Sequence, residues 1–264
     1  MRFALSAGRR SRRGRLRRTI WTAGLLALLR PQLVTPANAG RRRVVVVTQT
    51  AGFHHDSIPA AVALLRRIAH NRHYQMRFLA SVDKLTPKRL ARAGAIVFLN
   101  TSGELPMSDA QKSALLAFVH SGKGFVGTHS ATDTLHGWAD YARLLGGEFE
   151  THPYVGEGRV VVEDRRHPAT RRVPASFLIR EEFYVFRIDP RCCSHVLARL
   201  DVSSFGGDAA DDRPLVWCRR VGKGRVFYDA LGHFGETWSE RTQQRLVAGG
   251  LAWALGLAGA GACR

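Results

Sequence analysis

Val44-Val45-Val46-Val47, Ala95-Ile96-Val97-Phe98-Leu99 and Gly124-Phe125-Val126-Gly127-Thr128 decide the fold. Each is a short, unbroken apolar run rich in β-branched or aromatic residues. None shows the polar alternation of a strand wetted on one side. Such runs form strands covered on both faces, as in parallel sheets. Helical patterns fill the gaps between them. Ser57 stands at an N-cap position, Pro59 falls in the first turn, and Ile58, Val62, Leu65 and Ile68 recur at helical spacing. Tyr74 to Leu79 reads as a strand, Leu85 to Ala91 as a short helix, and Ser108 caps a helix through Val119. Strands alternating with helices at this spacing form βαβ units on a parallel sheet. Right-handed crossovers then give a doubly wound sheet, whose ligands sit beyond the carboxyl ends of the strands.

The second half is richer in strands. Arg159 to Glu163, Glu182 to Ile188 and His195 to Leu200 carry strand patterns. Pro214 to Cys218 and Arg225 to Tyr228 flank a hairpin turn at Val221-Gly222-Lys223-Gly224. Glu240 to Leu255 closes the chain as a helix, and the Gly/Ala-rich residues 256–264 are expected to fray. The expectation is an α/β three-layer sandwich with a mainly parallel central sheet and an additional β-rich second half. Without an internal repeat or an interdomain linker, residues 40–264 read as one domain.

The 264 residues include 40 Lys and Arg against 21 Asp and Glu, a formal charge of +19, with 45% hydrophobic residues. That balance is globular. The charge suggests nucleic acid until it is located. Nine arginines and no acid lie within residues 1–39, which leaves +10 for residues 40–264. The remaining cations are scattered, without the aromatic interleaving of single-strand binders, so nucleic acid is not expected as a partner.

Residues 1–39 have the layout of a secretory signal peptide: a basic stretch to Arg18, an apolar stretch from Thr19 to Leu29, and small-x-small at Ala37-Asn38-Ala39. The apolar run is about half the roughly 20 residues a membrane span needs. Ser11-Arg12-Arg13-Gly14-Arg15-Leu16-Arg17 resembles a twin-arginine signal, with Arg15 where that pattern carries an aromatic. The expected location is periplasmic or secreted, with cleavage near Ala39 by either export route. The alternative is a basic tail on a cytosolic protein. After signal removal no membrane span is expected. Cys192, Cys193, Cys218 and Cys263 form no C-x-x-C pair. Burial as small hydrophobes is the favoured reading, and a bridge from Cys192 or Cys193 to Cys218 is the alternative.

Three loops after strands concentrate imidazole and carboxylate: Gly52-Phe53-His54-His55-Asp56-Ser57, Gly127-Thr128-His129-Ser130-Ala131-Thr132-Asp133, and Gly232-His233. His152-Pro153 and Glu181-Glu182-Phe183-Tyr184 add to them. The strand topology sends the first three to one sheet edge. Imidazole and carboxylate together serve metal ligation and proton transfer. Each also has a plainer use: Asp56 and Ser57 suit capping, Asp133 suits a helix start near Leu135, and Trp138 and Trp238 suit the core.

Taken in order, Gly52-Phe53-x-His55-x-Ser57, Gly124-Phe125-Val126-Gly127-x-His129-x-x-x-Asp133, His152-Pro153, Glu182-x-Tyr184-x-Phe186 and Gly232-His233 resemble the ThuA-like, or trehalose-utilisation, family over roughly residues 43–256. The resemblance implies a flavodoxin-like sandwich related to class I glutamine amidotransferases. His54 stands where relatives often carry Arg, so His55 is the site candidate. The turn Gly127-Thr128-His129-Ser130 has no Cys nucleophile, which excludes amidotransferase chemistry, and Gly-Thr-His-Ser-Ala is not the serine-hydrolase elbow.

The resemblance implies an exported carbohydrate-processing protein, a glycoside hydrolase or another sugar enzyme, acting on a disaccharide or its keto derivative. His129, Asp133 and Glu182 are the catalytic candidates. Glu182 would be the general acid or base, and Asp133 would orient His129 through its second ring nitrogen. His55, His152, Tyr184 and Trp238 are the substrate-binding candidates, with Trp138 and Tyr154 as further stacking faces. His55, His129 and His233 are the candidate ligands for a divalent metal, zinc suiting that set. A non-catalytic sugar-binding module serving a partner enzyme is the alternative. Both a monomer and a homo-oligomer are compatible with the sequence.

Overall fold

The computed structural model describes residues 42–208, 210–259 and 263. The leader read at residues 1–39 lies outside them. Nine strands form one sheet in the order β2-β1-β3-β4-β9-β8-β7-β5-β6. They are β1 (Arg43–Val47), β2 (Gln75–Leu79), β3 (Ala95–Leu99), β4 (Gly124–Thr128), β5 (Glu148–Val162), β6 (Ser176–Ile188), β7 (His195–Asp201), β8 (Asp212–Val221) and β9 (Gly224–Asp229). The helices are α1 (Ile58–Arg72), α2 (Pro87–Ala91), α3 (Asp109–His120), α4 (Ala139–Leu145) and α5 (Arg241–Ala254).

The apolar runs account for the first half. β1, β3 and β4 are the buried centre of the parallel part, apart from the exposed Arg43 at its rim. α3 starts with a capping box in which Ser108 and Gln111 satisfy each other's backbone N–H. Ser57 precedes α1 but does not cap it. Its hydroxyl instead donates to the Gly232 carbonyl at 2.7 Å. The loop after Asp133 also departs from expectation: Leu135 is left-handed, at φ 57°, and the next helix begins only at Ala139.

The expected mainly parallel sandwich is corrected by the sheet. Four pairings are parallel, β1–β2, β1–β3, β3–β4 and β4–β9, and four are antiparallel. The second half is therefore no separate layer. It continues the same sheet through the β8–β9 hairpin, with Gly222 and Lys223 in the turn between paired Val221 and Gly224. β5 and β6 are much longer than expected. Sequence alternation in β5 is broken by Thr151-His152-Pro153 and Gly158, and its register shifts at three points between Glu148 and Tyr154. Such irregularities bend strands. The bend returns β6 over the sheet: Phe186 of β6 lies 5.0 Å from the Trp217 ring of β8 and 6.0 Å from the Tyr228 ring of β9.

Helices cover both faces. Phe125 packs against Tyr141 of α4 with ring centres 6.1 Å apart, while a Cβ at its neighbour Gly124 would lie 2.5 Å from the Ala254 carbonyl of α5. The tail does not fray at Cys263, which is buried and joined by a disulfide to Cys218 of β8. Cys192 and Cys193 are free and exposed, so neither the burial favoured for them nor the alternative bridge to Cys218 occurs. Among the described residues no helix is long and apolar enough to cross a membrane.

α5 sits on β9 at a distance that only glycine permits. A Cβ at Gly250 would stand 2.2 Å from the ring of Phe227, which is wholly buried. Helix propensity favours Gly250→Ala by about 1 kcal/mol, but overpacking a closed core costs about 1–3 kcal/mol. We expect the substitution to destabilise the fold, lowering the urea midpoint. An unchanged or raised midpoint would show that helix and sheet are not in this contact.

Candidate functional site

The carboxyl ends of the parallel strands and the returning β6 meet at one cluster. The loop after β1 supplies His55, β4 runs into His129, the turn after β9 supplies His233, and the middle of β6 supplies Glu182. One candidate ligand atom from each lies within 4.8 Å of the others. The register makes this meeting: Thr128 and Asp229 are paired at the ends of β4 and β9, so His129 and Ala230 emerge side by side.

His129 is fully buried and left-handed, at φ 45°. A non-glycine residue held there at a strand end is under backbone strain, a feature that gathers at functional sites. Its Nδ1 lies 2.9 Å from the Ala230 carbonyl, which can only accept. Nδ1 therefore carries a proton, and Nε2 is the ring nitrogen turned into the cluster. That nitrogen faces His55 Nε2 at 3.0 Å, Tyr184 OH at 3.1 Å and Glu182 Oε2 at 3.4 Å. His233 Nδ1 lies 3.1 Å from the same Glu182 oxygen, off the line of a hydrogen bond, and has no hydrogen-bond partner. Lone pairs brought this close repel unless a proton or a cation stands among them.

The set accommodates either. With a proton on Nε2, His55 donates to His129 and accepts from Ser130, whose hydroxyl is 3.3 Å from His55 Nδ1. With its proton on Nδ1, His55 turns a second lone pair inward. Ligands of a tetrahedral zinc ion stand roughly 3.3 Å apart when the bonds are about 2.0–2.1 Å. The nearest separations here, 3.0, 3.1 and 3.4 Å, bracket that value. The donor set fits a divalent ion.

Burial, then the neighbouring His129 and His233, pushes the His55 pKa down to about 3, so this ring is neutral at physiological pH. Burial alone would raise Glu182, but its contacts with His129 and His233 outweigh that and hold it ionised, below the ordinary carboxylate range. The Glu182 carboxylate in turn holds His233 above the ordinary imidazole value against its burial. Burial and the Glu182 charge push Tyr184 well above 10, so its hydroxyl keeps its proton.

The cluster is reached from a rim rather than a deep cleft. His129 is closed to solvent and the Glu182 side chain is 10% exposed, while those of His233 and His152 are 21% and 46% exposed. His152 Nδ1 lies 3.3 Å from Glu182 Oε1. Phe53, 64% exposed, stands over His55 with ring centres 4.7 Å apart.

Several expectations are corrected. Asp133 does not orient His129. Its Oδ1 is bonded to His136 at 2.8 Å, and the Ala230 carbonyl takes the orienting role. Trp238 offers no stacking face, since it is buried with its indole N–H on the Gly232 carbonyl. Trp138 packs on Tyr141, and Tyr154 lies flat on Phe205. His54 is exposed, within hydrogen-bond distance of Thr50.

The supporting residues had no sequence signal. Glu181, the neighbour of Glu182, is buried and accepts from the Gly232 and His233 N–H groups at 3.1 Å and from the Thr237 hydroxyl, fixing the His233 turn. Asn100, left-handed at φ 46°, donates to Ser57 and to the Gly232 carbonyl. Asp229 is wholly buried and accepts from Leu231 N–H and Gln243. Only the doubled acid at 181–182, both members of which are buried, hinted at any of this.

Residues 43–254 match the family model described as ThuA, trehalose utilisation. No curated protein matches the chain. Among solved structures, a ThuA-like protein from Bacteroides uniformis superposes with a TM-score of 0.69 at 23% identity, covering 81% of this chain and 91% of that one. One from Parabacteroides merdae gives 0.66 at 18% identity, covering 81% and 89%. A β-galactosidase from Bacillus circulans gives 0.55 at 14% identity, covering 82% of this chain but 31% of its own, a likeness of fold alone.

Burial, against the two hydrogen bonds it accepts, raises the Asp229 carboxyl from its ordinary 3.8 to about 7. Folding then takes up a proton between those values, so this group's contribution to stability falls as pH rises through that window. Asp229→Asn removes the dependence. We expect the variant to gain about 4 kcal/mol on the parent between pH 4 and pH 8 in urea unfolding. A constant difference across that range would contradict the buried, protonated carboxyl.

Proposed function

Because the chain belongs to the trehalose-utilisation family ThuA, we propose that it processes a disaccharide, or a keto derivative of one, at the cluster of His55, His129, Glu182 and His233, outside the cytoplasm. The observation that carries this reading is the convergence of imidazole and carboxylate lone pairs on one point beside an exposed aromatic face. Export is supported by the leader pattern of residues 1–39 and by the Cys218–Cys263 disulfide, a bond that persists in oxidising compartments.

His55, His129, His233 and Glu182 would hold a divalent ion, with zinc suiting the donors. Bound there, it supplies Lewis-acid polarisation of a sugar oxygen. The chain's own groups do the rest. The Ala230 carbonyl keeps the His129 lone pair aimed inward. Glu182 Oε1, the oxygen turned toward His152, takes a proton from a hydroxyl at the rim and returns it, with His152 as its exchange partner with solvent. Tyr184, protonated throughout, donates to an oxygen within the cluster. Phe53 offers an apolar ring to a sugar face. Asp133 is hydrogen-bonded to His136 and takes no assigned part in this step.

A second reading has its own observation. His129 is sealed while Phe53 is open, the arrangement of a module that stacks a sugar at its rim and does not turn it over.

The two separate in one experiment. Protein loaded with zinc or manganese is incubated with trehalose, other disaccharides and their 3-keto forms. Catalysis predicts one ion per chain, a melting temperature lowered by chelator, and turnover reduced at least 100-fold in Glu182→Gln. No bound ion, a melting temperature indifferent to chelator and no product would overturn the enzyme. Sugar affinity that falls about tenfold in Phe53→Ala but not in His129→Ala would then leave the module.

A further inference from the structure

A second concavity, of about 660 Å³, opens between the end of α1, the turn at residues 168–172 and the exposed face of α5. None of the four clustered site residues lines it. Six arginines do: Arg42, Arg72, Arg171, Arg172, Arg241 and Arg245, without a single acid among the lining residues. We propose that this cavity binds a soluble small molecule carrying two or more phosphate groups.

The unmatched charge is the first observation. Among the described residues none of the six arginines is in an ion pair, whereas Arg191 alone engages both Glu163 and Asp212. Nor does the remainder of the chain contain a side chain to neutralise them, since residues 1–41, 209 and 260–264 include no Asp or Glu. Five of the six are exposed, so their charge is open to an anion from solution.

The second observation is that two of the guanidinium groups are held without being neutralised. Arg42 Nη1 donates to the Arg72 carbonyl at 2.7 Å, and Arg245 Nη1 donates to the Arg172 carbonyl at 2.6 Å. Each contact uses one edge of the fork and adds no negative charge. Arg42 Nε is buried with no hydrogen-bond partner.

The third is the placement of Arg241 and Arg245. They stand one turn apart on α5, where like charges repel by a few tenths of a kcal/mol. Arg241 is also in the first turn, against the helix dipole, with Glu240 at the N-cap as the adjacent acid. An anion between them relieves both costs. Phosphate suits rigid guanidinium forks, which bind its oxygens in pairs. The volume lies in the range of small-molecule sites, roughly 300–1,000 Å³, and Tyr74 and Leu257 in the lining give an uncharged part of the ligand a surface.

Calorimetry on the full chain tests the assignment with inorganic tripolyphosphate as probe and inorganic phosphate as reference, at 0.15 M salt. The expected result is saturable binding of one tripolyphosphate, at least tenfold tighter than phosphate, and weakened at least tenfold in the double variant Arg171→Ala/Arg245→Ala. Arg77→Ala/Arg89→Ala, which alters a separate basic cavity beside β2, should leave it unchanged. The arginines of residues 1–39 are common to all three proteins, so the differences report the cavity. Undiminished binding in the first variant, or equal losses in both, would overturn the site. So would sedimentation with phosphatidylglycerol vesicles in the absence of tripolyphosphate binding.

Discussion

The hydrogen bond from His129 Nδ1 to the Ala230 carbonyl is the constraint on which the site rests. It exists because β4 and β9, a hundred residues apart in the chain, lie parallel with Thr128 opposite Asp229. It decides the tautomer of His129, and the tautomer decides where the lone pair points. The left-handed backbone at His129 turns the ring into the interior rather than along the strand. Tyr228 secures that turn from below, its hydroxyl donating to the His129 carbonyl at 2.5 Å. A strained residue persists only where its surroundings over-determine it, and here two strands and a buried tyrosine do so.

The antiparallel half has a structural purpose that follows from this. A parallel sheet alone would leave the imidazoles facing solvent at its edge. The bent β5–β6 pair folds back, placing Glu182 and Tyr184 over His129 and tying the His233 turn through Glu181. The cluster therefore combines strand-end loops of the parallel part with the middle of a strand from the antiparallel part. The arginine-lined cavity is built without β6, which leaves two sites of different chemistry on one sheet.

How much of this was legible in the sequence follows from its physics. β3 and β4 were readable to the residue, because continuous apolar runs have one structural use. His55, His129 and His233 were readable as candidates, because the ends of parallel strands are forced to one edge. Glu182 was readable as one of a doubled acid, and the family resemblance singled it out. Its strand was read too short, from Glu182 rather than Ser176, and its partner β5 likewise, where Gly, Pro and His interrupt the alternation. The orienting role was misplaced on Asp133 because proximity in sequence suggested a side chain, whereas the true partner is a backbone carbonyl, which has no signature. Trp238 and Ser57 were misread for a related reason: their bonds go to the Gly232 carbonyl, a contact set by tertiary structure alone. The arginine cavity escaped notice because its members are scattered from Arg42 to Arg245.

The most direct test of the convergent cluster is a long-range proton–nitrogen NMR spectrum of the histidine rings, recorded from pH 7 to pH 5 on metal-free protein. The account predicts His129 as the Nδ1–H tautomer and His55 uncharged at pH 5. An Nε2–H tautomer at His129, or a His55 ring that titrates near 6.5, would contradict it.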